Sequence, residues 1–215
     1  MTEQSMAEHS VKTPRGHVVS NPPVARLLFD DTRFAWVWLI LRVLVGLTWI
    51  EAASHKLGDP AWMQTGEALK KFWTNAVKVP DTGLPPITFD WYRSFIQGML
   101  DAQSYVWFAK LIAIGELLVG VCLVLGLFVG IAAFFGATMN WNYLMAGSSS
   151  VNPILLIGGL LLMFAWKTAG YYGLDRFVVP RLGATWEDED LALRRSKAVS
   201  ENSPMPTKGP LSSGT

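Results

Sequence analysis

Glu51 and His55 stand four residues apart, so on a helix they share one face. A carboxylate beside an imidazole can take up a proton and pass it on near neutral pH. Lys110 adds an amine, and Asn140 and Asn142 add amides that both donate and accept; Asn152 stands beside Pro153. Such a set suits a small anion, or the headgroup of a quinone, whose two oxygens need hydrogen-bond donors. On this reading His55 and Lys110 attract the anion, Asn140 and Asn142 hold it or the quinone, and Glu51 relays protons. Arg42 and Glu116 lie within apolar sequence, where an unpaired charge is costly. Counted from the ends of their segments they fall at similar depth and are expected to pair. That pair serves either as a lock between helices or as a catalytic, proton-carrying site.

Each residue also has a plainer role. His55 and Lys56 end an apolar run and could snorkel to water. Asn140 and Asn142 could hydrogen-bond between helices. Cys122, the one cysteine, rules out a disulfide scaffold, a dithiol pair and a cysteine zinc site, and its Val, Leu and Gly neighbours suit a small buried apolar residue. His9 and His17 lie in the polar N-terminal stretch, so neither a metal site nor a haem held by two histidines is expected. A net charge of +1 argues against a nucleic-acid partner.

The elements that must position these side chains are apolar. Of 215 residues, 51% are hydrophobic and 16% charged, and no Asp, Glu, Lys or Arg occurs from Leu117 to Trp166. An uncharged run of that length exceeds the roughly 20 residues that one membrane-spanning helix needs. Four apolar segments stand out, at about 34–53, 104–125, 127–145 and 153–171. Gly126 to Gly130 leaves room for only a tight turn, and Gly147 to Ser150 joins the last two. The expectation is an all-α membrane protein, a four-transmembrane-helix up-down bundle. Gly115, Gly120, Gly130, Gly136, Gly158 and Gly159 would let its helices approach closely.

The connection at about 57–103 is too long for a simple loop. Asp59-Pro60 reads as a helix start, and Trp62, Leu69, Phe72, Trp73 and Ala76 follow at helical spacing. Tyr92, Phe95, Ile96, Met99 and Leu100 form a second apolar face. Two amphipathic helices, on the membrane surface or over the bundle mouth, are predicted. Trp36 and Trp38 mark one interface, and Trp49, Trp107 and Trp141 the other. The chain thus divides into a polar N-terminal tail (1–33), a membrane domain (34–183) and a charged, then Ser/Pro-rich tail (184–215) expected to be disordered. Lysine and arginine placement favours cytoplasmic termini in a multi-pass protein of the cell membrane.

Several strings resemble the DoxX/DoxD family of small four-helix membrane proteins. They are Leu41-Arg42 to Gly46 closing at His55-Lys56-Leu57, Gly115-Glu116 to Gly120, Met139-Asn140-Trp141-Asn142-Tyr143, Ala146 to Pro153 and Gly173-Leu174-Asp175. Asp90-Trp91-Tyr92-Arg93 and Met139-Asn140 are nearer the DoxD type. The resemblance covers about residues 34–183. It implies a membrane subunit of a thiosulfate:quinone oxidoreductase, which joins two thiosulfates into tetrathionate and reduces a quinone. Its site residues would then be Glu51, His55 and Glu116 as catalytic groups and Arg42, Lys110, Asn140 and Asn142 as binding groups. The partners implied are membrane lipid, a second oxidoreductase subunit or soluble redox enzymes, with room for a homo-oligomer. Other members of the wider family act as non-catalytic anchors of redox and stress-defence enzymes, the alternative reading here. A small transporter or channel fits less well, because no repeat or continuous polar path is evident.

Overall fold

The computed structural model describes residues 11–12, 18–19 and 22–182. Val179–Leu182, a single 3-10 turn, belongs to a second compact unit, and the tail expected at 184–215 lies outside the described residues. Apart from a two-residue antiparallel ladder between β1 (Val11–Lys12) and β2 (Val18–Val19), the described chain is helical.

The first helix, α1 (Pro23–Phe29), lies within the stretch read from sequence as a polar tail. It is tied down: Trp38 Nε1 donates to the Leu28 carbonyl at 2.8 Å, and Phe29 stacks on the Trp38 ring. The Thr168 hydroxyl donates to the Phe29 carbonyl. A turn capped by the Asp31 carboxylate leads into α2 (Ala35–Leu57), made mostly of Leu, Val, Ile, Ala and Trp but interrupted by Arg42 and Gly46. It continues a full turn past the expected end at Ala53, which brings His55 and Lys56 inside the helix.

The predicted amphipathic stretch after Asp59 is broken in two. Asp59 caps α3 (Pro60–Met63) by accepting from Ala61 N at 2.8 Å, and α4 (Glu67–Ala76) begins after Gly66. Gly66 has φ +70°, and a Cβ there would overlap the Tyr105 carbonyl, so only glycine fits. Next comes α5 (Asp90–Asp101), then α6 (Tyr105–Leu125) and α7 (Val129–Met145), joined by the tight turn at Gly126. Then follow α8 (Asn152–Phe164), α9 (Trp166–Ala169) and α10 (Asp175–Val178).

Two helical segments, Thr32–Leu57 and Tyr105–Leu125, are long and apolar enough to cross a membrane. At about 1.5 Å per residue, α7 and α8 measure roughly 25 and 20 Å, short of a hydrocarbon core of about 30 Å. The expected fourth segment to residue 171 stops early, because Ala165 leaves helical geometry before α9 resumes.

The four longest apolar helices pack in a ring in which α2 meets α6, α6 meets α7, α7 meets α8, and α8 returns to α2. Where α2 crosses α6, a Cβ on Gly46 would lie 2.9 Å from the Gly120 carbonyl, and one on Gly120 2.8 Å from that of Gly46. Side chains larger than hydrogen would push the backbones apart. Trp38, Val45, Trp49, Val119, Leu123, Val129 and Leu162 fill the ring. Leu69, Trp73, Ile87, Tyr92 and Ile96 form a second core on Ala109 and Ala146, so α4 and α5 roof one end of the bundle. Phe95, read from its spacing as part of the same apolar face of α5, is exposed, whereas Tyr92 and Ile96 are buried.

Candidate functional site

The glycine crossing sets the register between α2 and α6, and with it the fate of every buried charge. Glu116 lies one turn from Gly120, level with the turn after Ile50, whereas Arg42 is level with the opposite end of α6 beside Gly126. The expected Arg42–Glu116 pair therefore does not form. Matching the ends of the two segments misplaced them, because α2 runs well past the end of α6.

Glu116 pairs instead with Lys56, whose Nζ lies 2.6 Å from Oε2. Side chains tilt toward the N-terminus of their own helix. In an antiparallel pair this turns Lys56 back into the bundle and Glu116 up toward it, and Lys56 Nζ also reaches the Ala52 carbonyl at 3.4 Å. Lys56 thus does not snorkel. The other carboxylate oxygen, Oε1, accepts from Tyr143 Oη at 2.8 Å. Glu116 is 1% exposed, while the Lys56 side chain keeps 17%. The roof closes over both: Trp62 of α3 lies with its ring 5.3 Å from Lys56 Nζ, and Phe72 of α4 meets the Tyr143 ring edge-on at 6.1 Å.

Asn140 sits three residues before Tyr143, on the same face of α7 and one turn deeper. It is fully buried, and neither Oδ1 nor Nδ2 has a hydrogen-bond partner. Buried amides are almost always satisfied, and leaving one unmatched costs about 1–3 kcal/mol. Asn140 thus holds a buried donor and acceptor free for a ligand or a water, as do Nε and Nη1 of Arg42 elsewhere in the bundle.

The remaining expected residues do not join this group. Glu51 and His55 share a face of α2, as their spacing requires, but that face is exposed. Lys110 is half-buried. Asn142 is exposed and committed elsewhere: its carbonyl and Oδ1 accept from Tyr92 Oη at 3.2 and 3.1 Å, and its Nδ2 donates to Thr138 O. Burial raises the pKa of that Tyr92 phenol. Asn152 donates to Ser148 O at the start of α8. The single layer predicted from these residues is thus divided between the outside of α2, the α5–α7 contact and the α7–α8 turn. Lys56 and Tyr143, which complete the site, are the residues the functional reading of the sequence missed. Among the described residues no three His, Cys, Asp or Glu side chains come together as metal ligands would.

Arg42 belongs to a different centre. Its Nη2 donates to the Tyr172 carbonyl at 3.2 Å, and its guanidinium packs against Gly126 and Gly173, where any Cβ would intrude. Asp175 accepts from Phe128 N at 2.6 Å and Val129 N at 2.9 Å, capping α7 with both oxygens. Leu174 N and Asp175 N bond in turn to the carbonyls of Leu125 and Gly126. The Gly173-Leu174-Asp175 string is therefore a clasp that holds the α6–α7 turn.

Comparison with protein-family models, with curated proteins and with solved structures finds no match to this chain.

Proposed function

We propose that the protein is a multi-pass membrane subunit of a quinone-linked oxidoreductase, acting on thiosulfate or a similar small sulfur anion. The observation that carries the reading is the unpartnered, fully buried Asn140 amide beneath the Lys56–Glu116–Tyr143 network. The chemistry of these residues suits a quinone headgroup. Its carbonyl oxygens match the free Nδ2–H₂ donor of Asn140, and the aromatic roof of Trp62 and Phe72 suits a flat apolar ring. The quinone, when bound, accepts the two electrons released as two thiosulfates join, and two protons are taken up with them. Glu116, with Lys56 on its water side and Tyr143 on its inner side, replaces Glu51 and His55 as the group able to hold and pass a proton at Oε1 or Oε2.

The four-span topology is part of the same proposal. Besides α2 and α6, the shorter α7 and α8 turn apolar side chains outward, among them Ile131, Phe134, Phe135, Ile154 and Ile157, while Arg42 and Glu116 face inward. That pattern suits helices in lipid rather than water. The short helices would be accommodated by local thinning of the bilayer. Termini on the cytoplasmic side complete the reading.

The test is thiosulfate-dependent reduction of a soluble quinone analogue in native membranes, which retain any partner subunit. Asn140→Leu removes the free amide while keeping the number of side-chain heavy atoms and their branching. Turnover should fall about 100-fold, the loss of a site's key polar contact, while the amount inserted is unchanged. Unaltered turnover would reject the site. No thiosulfate-dependent activity even in the parent membranes would favour the anchor reading.

A further inference from the structure

Helix α5 carries two apolar faces. Tyr92 and Ile96 face inward and are buried in the roof's core. Trp91 and Phe95, four residues apart, face outward at 67% and 54% exposure, and Phe89 at the N-cap adds a third exposed ring. The three belong to one chain of ring contacts, Phe89 on Trp91, Trp91 on Tyr92 and Tyr92 on Phe95, each 5.5–6.5 Å between centroids. The other outward flank is polar: Arg93 pairs with Asp90 at 2.7 Å, and Gln97 donates to Asp101 at 2.9 Å. A roof helix in plain water would need only the inner apolar face.

The level of the outer rings is set by the Tyr92–Asn142 bonds, which hold α5 to the last turns of α7. The neighbour of Asn142 is Trp141, which points outward, as does Trp107 in the first turn of α6. Farther into α6 and α7 the outward positions become Leu111, Ile114, Leu118, Phe135, Phe134 and Ile131. The exposed rings of α5 therefore continue the aromatic level at which these apolar stripes end, which is where tryptophan collects in a bilayer.

We infer that Phe89, Trp91 and Phe95 form a ridge seated in the headgroup region of the lipid bilayer. The connection is then bound on two sides, to the bundle through Tyr92 and Ile96 and to lipid through the ridge, with Asp90, Gln97 and Asp101 left in water. This rests on the membrane reading above and goes beyond it, since a roof over a membrane bundle could equally stand clear of the lipid.

The experiment uses the full chain in phosphatidylcholine vesicles. Cys122→Ser frees the background for single cysteines carrying an environment-sensitive fluorophore, Phe95→Cys on the ridge, Gln97→Cys on the polar flank and Phe134→Cys on the outer stripe of α7. The Phe95 probe should lose fluorescence to nitroxide lipids labelled near the headgroup and be shielded from iodide, whereas the Gln97 probe should be quenched by iodide. Equal iodide quenching at 95 and 97, with lipid quenching retained at 134, would overturn the ridge and leave the membrane reading standing. Shielding of the Phe95 probe from both quenchers would overturn it in favour of a protein cover. Failure of lipid quenching at 134 would overturn both.

Discussion

The two buried charge centres lie near opposite ends of the same bundle and are built to opposite ends. Around Arg42 the backbone itself closes in. Gly126 and Gly173 press on the guanidinium, Asp175 spends both oxygens on amides of the α7 turn, and the chain after α9 is stitched to Leu125 and Gly126. Around Glu116 the contacts are mainly between side chains of α2, α6 and α7, with the Ala52 carbonyl the one backbone group that Lys56 also reaches, and rings from α3 and α4 cover them. A centre that fixes backbone holds a fold together. Both centres keep buried polar atoms without a partner, Arg42 Nε and Nη1 in the one and Asn140 Oδ1 and Nδ2 one turn from Tyr143 in the other, so what separates them is that only the first fixes the backbone of a turn.

The difference is sharpest when each carboxylate is removed. Asp175→Ala strips two N–H groups of their acceptor and leaves a 1% exposed arginine without its nearby negative charge. A hydrogen bond to a carboxylate is worth about 1.5–3 kcal/mol, and two are lost here, so the variant should show a large drop in thermal midpoint in detergent. Glu116→Leu should cost less, about 1–2 kcal/mol. Lys56 keeps a route to water and Tyr143 loses a single hydrogen bond. If the two losses are equal, or Glu116→Leu is the larger, the division into a clasp and a site is wrong.

How far this was legible follows from the same residues. The helices themselves were: an uncharged run from Leu117 to Trp166 and the turn at Gly126 leave little choice of element for α6 and α7. The roof was half legible, since periodicity marks Leu69, Trp73, Tyr92 and Ile96, but it cannot say that the Gly66 turn is held by Tyr105. Partner choice was not read, because it depends on register. A shift of one turn between antiparallel helices moves a facing residue by about 5 Å, enough to exchange one buried charge for another. The signal was nevertheless present. Pairing Gly46 with Gly120 as the point of closest approach brings Glu116 beneath Lys56 and carries Arg42 down to Gly126. Aligning helix ends, as though all spans were cut to one length, discarded it. The Glu51–His55 pair was half legible for a related reason. Its spacing fixes a common face but not which way that face turns.

The smallest expected effect concerns the charge state of the clasp. Burial disfavours the ionised form of Asp175 by more than the amides of Phe128 and Val129 and the charge of Arg42 favour it, so its pKa is raised above the ordinary 3.8. The folded chain then keeps this proton at a pH where the unfolded chain has lost it. The stability that results is fully present below the unfolded value and is lost as pH rises through the folded one. Asp175→Asn keeps one carbonyl to cap α7 and cannot titrate. Relative to that variant, the parent's thermal midpoint should therefore rise as the solution is acidified from neutral toward pH 3.8. Calorimetry across the acid range reads the sign directly. A midpoint that falls instead would mean that Arg42 holds the carboxylate ionised more strongly than burial opposes it. The clasp would then be a true buried ion pair, electrostatically the counterpart of Lys56 and Glu116, and its distinction from them would rest on the backbone bonds of Leu174 and Asp175 alone.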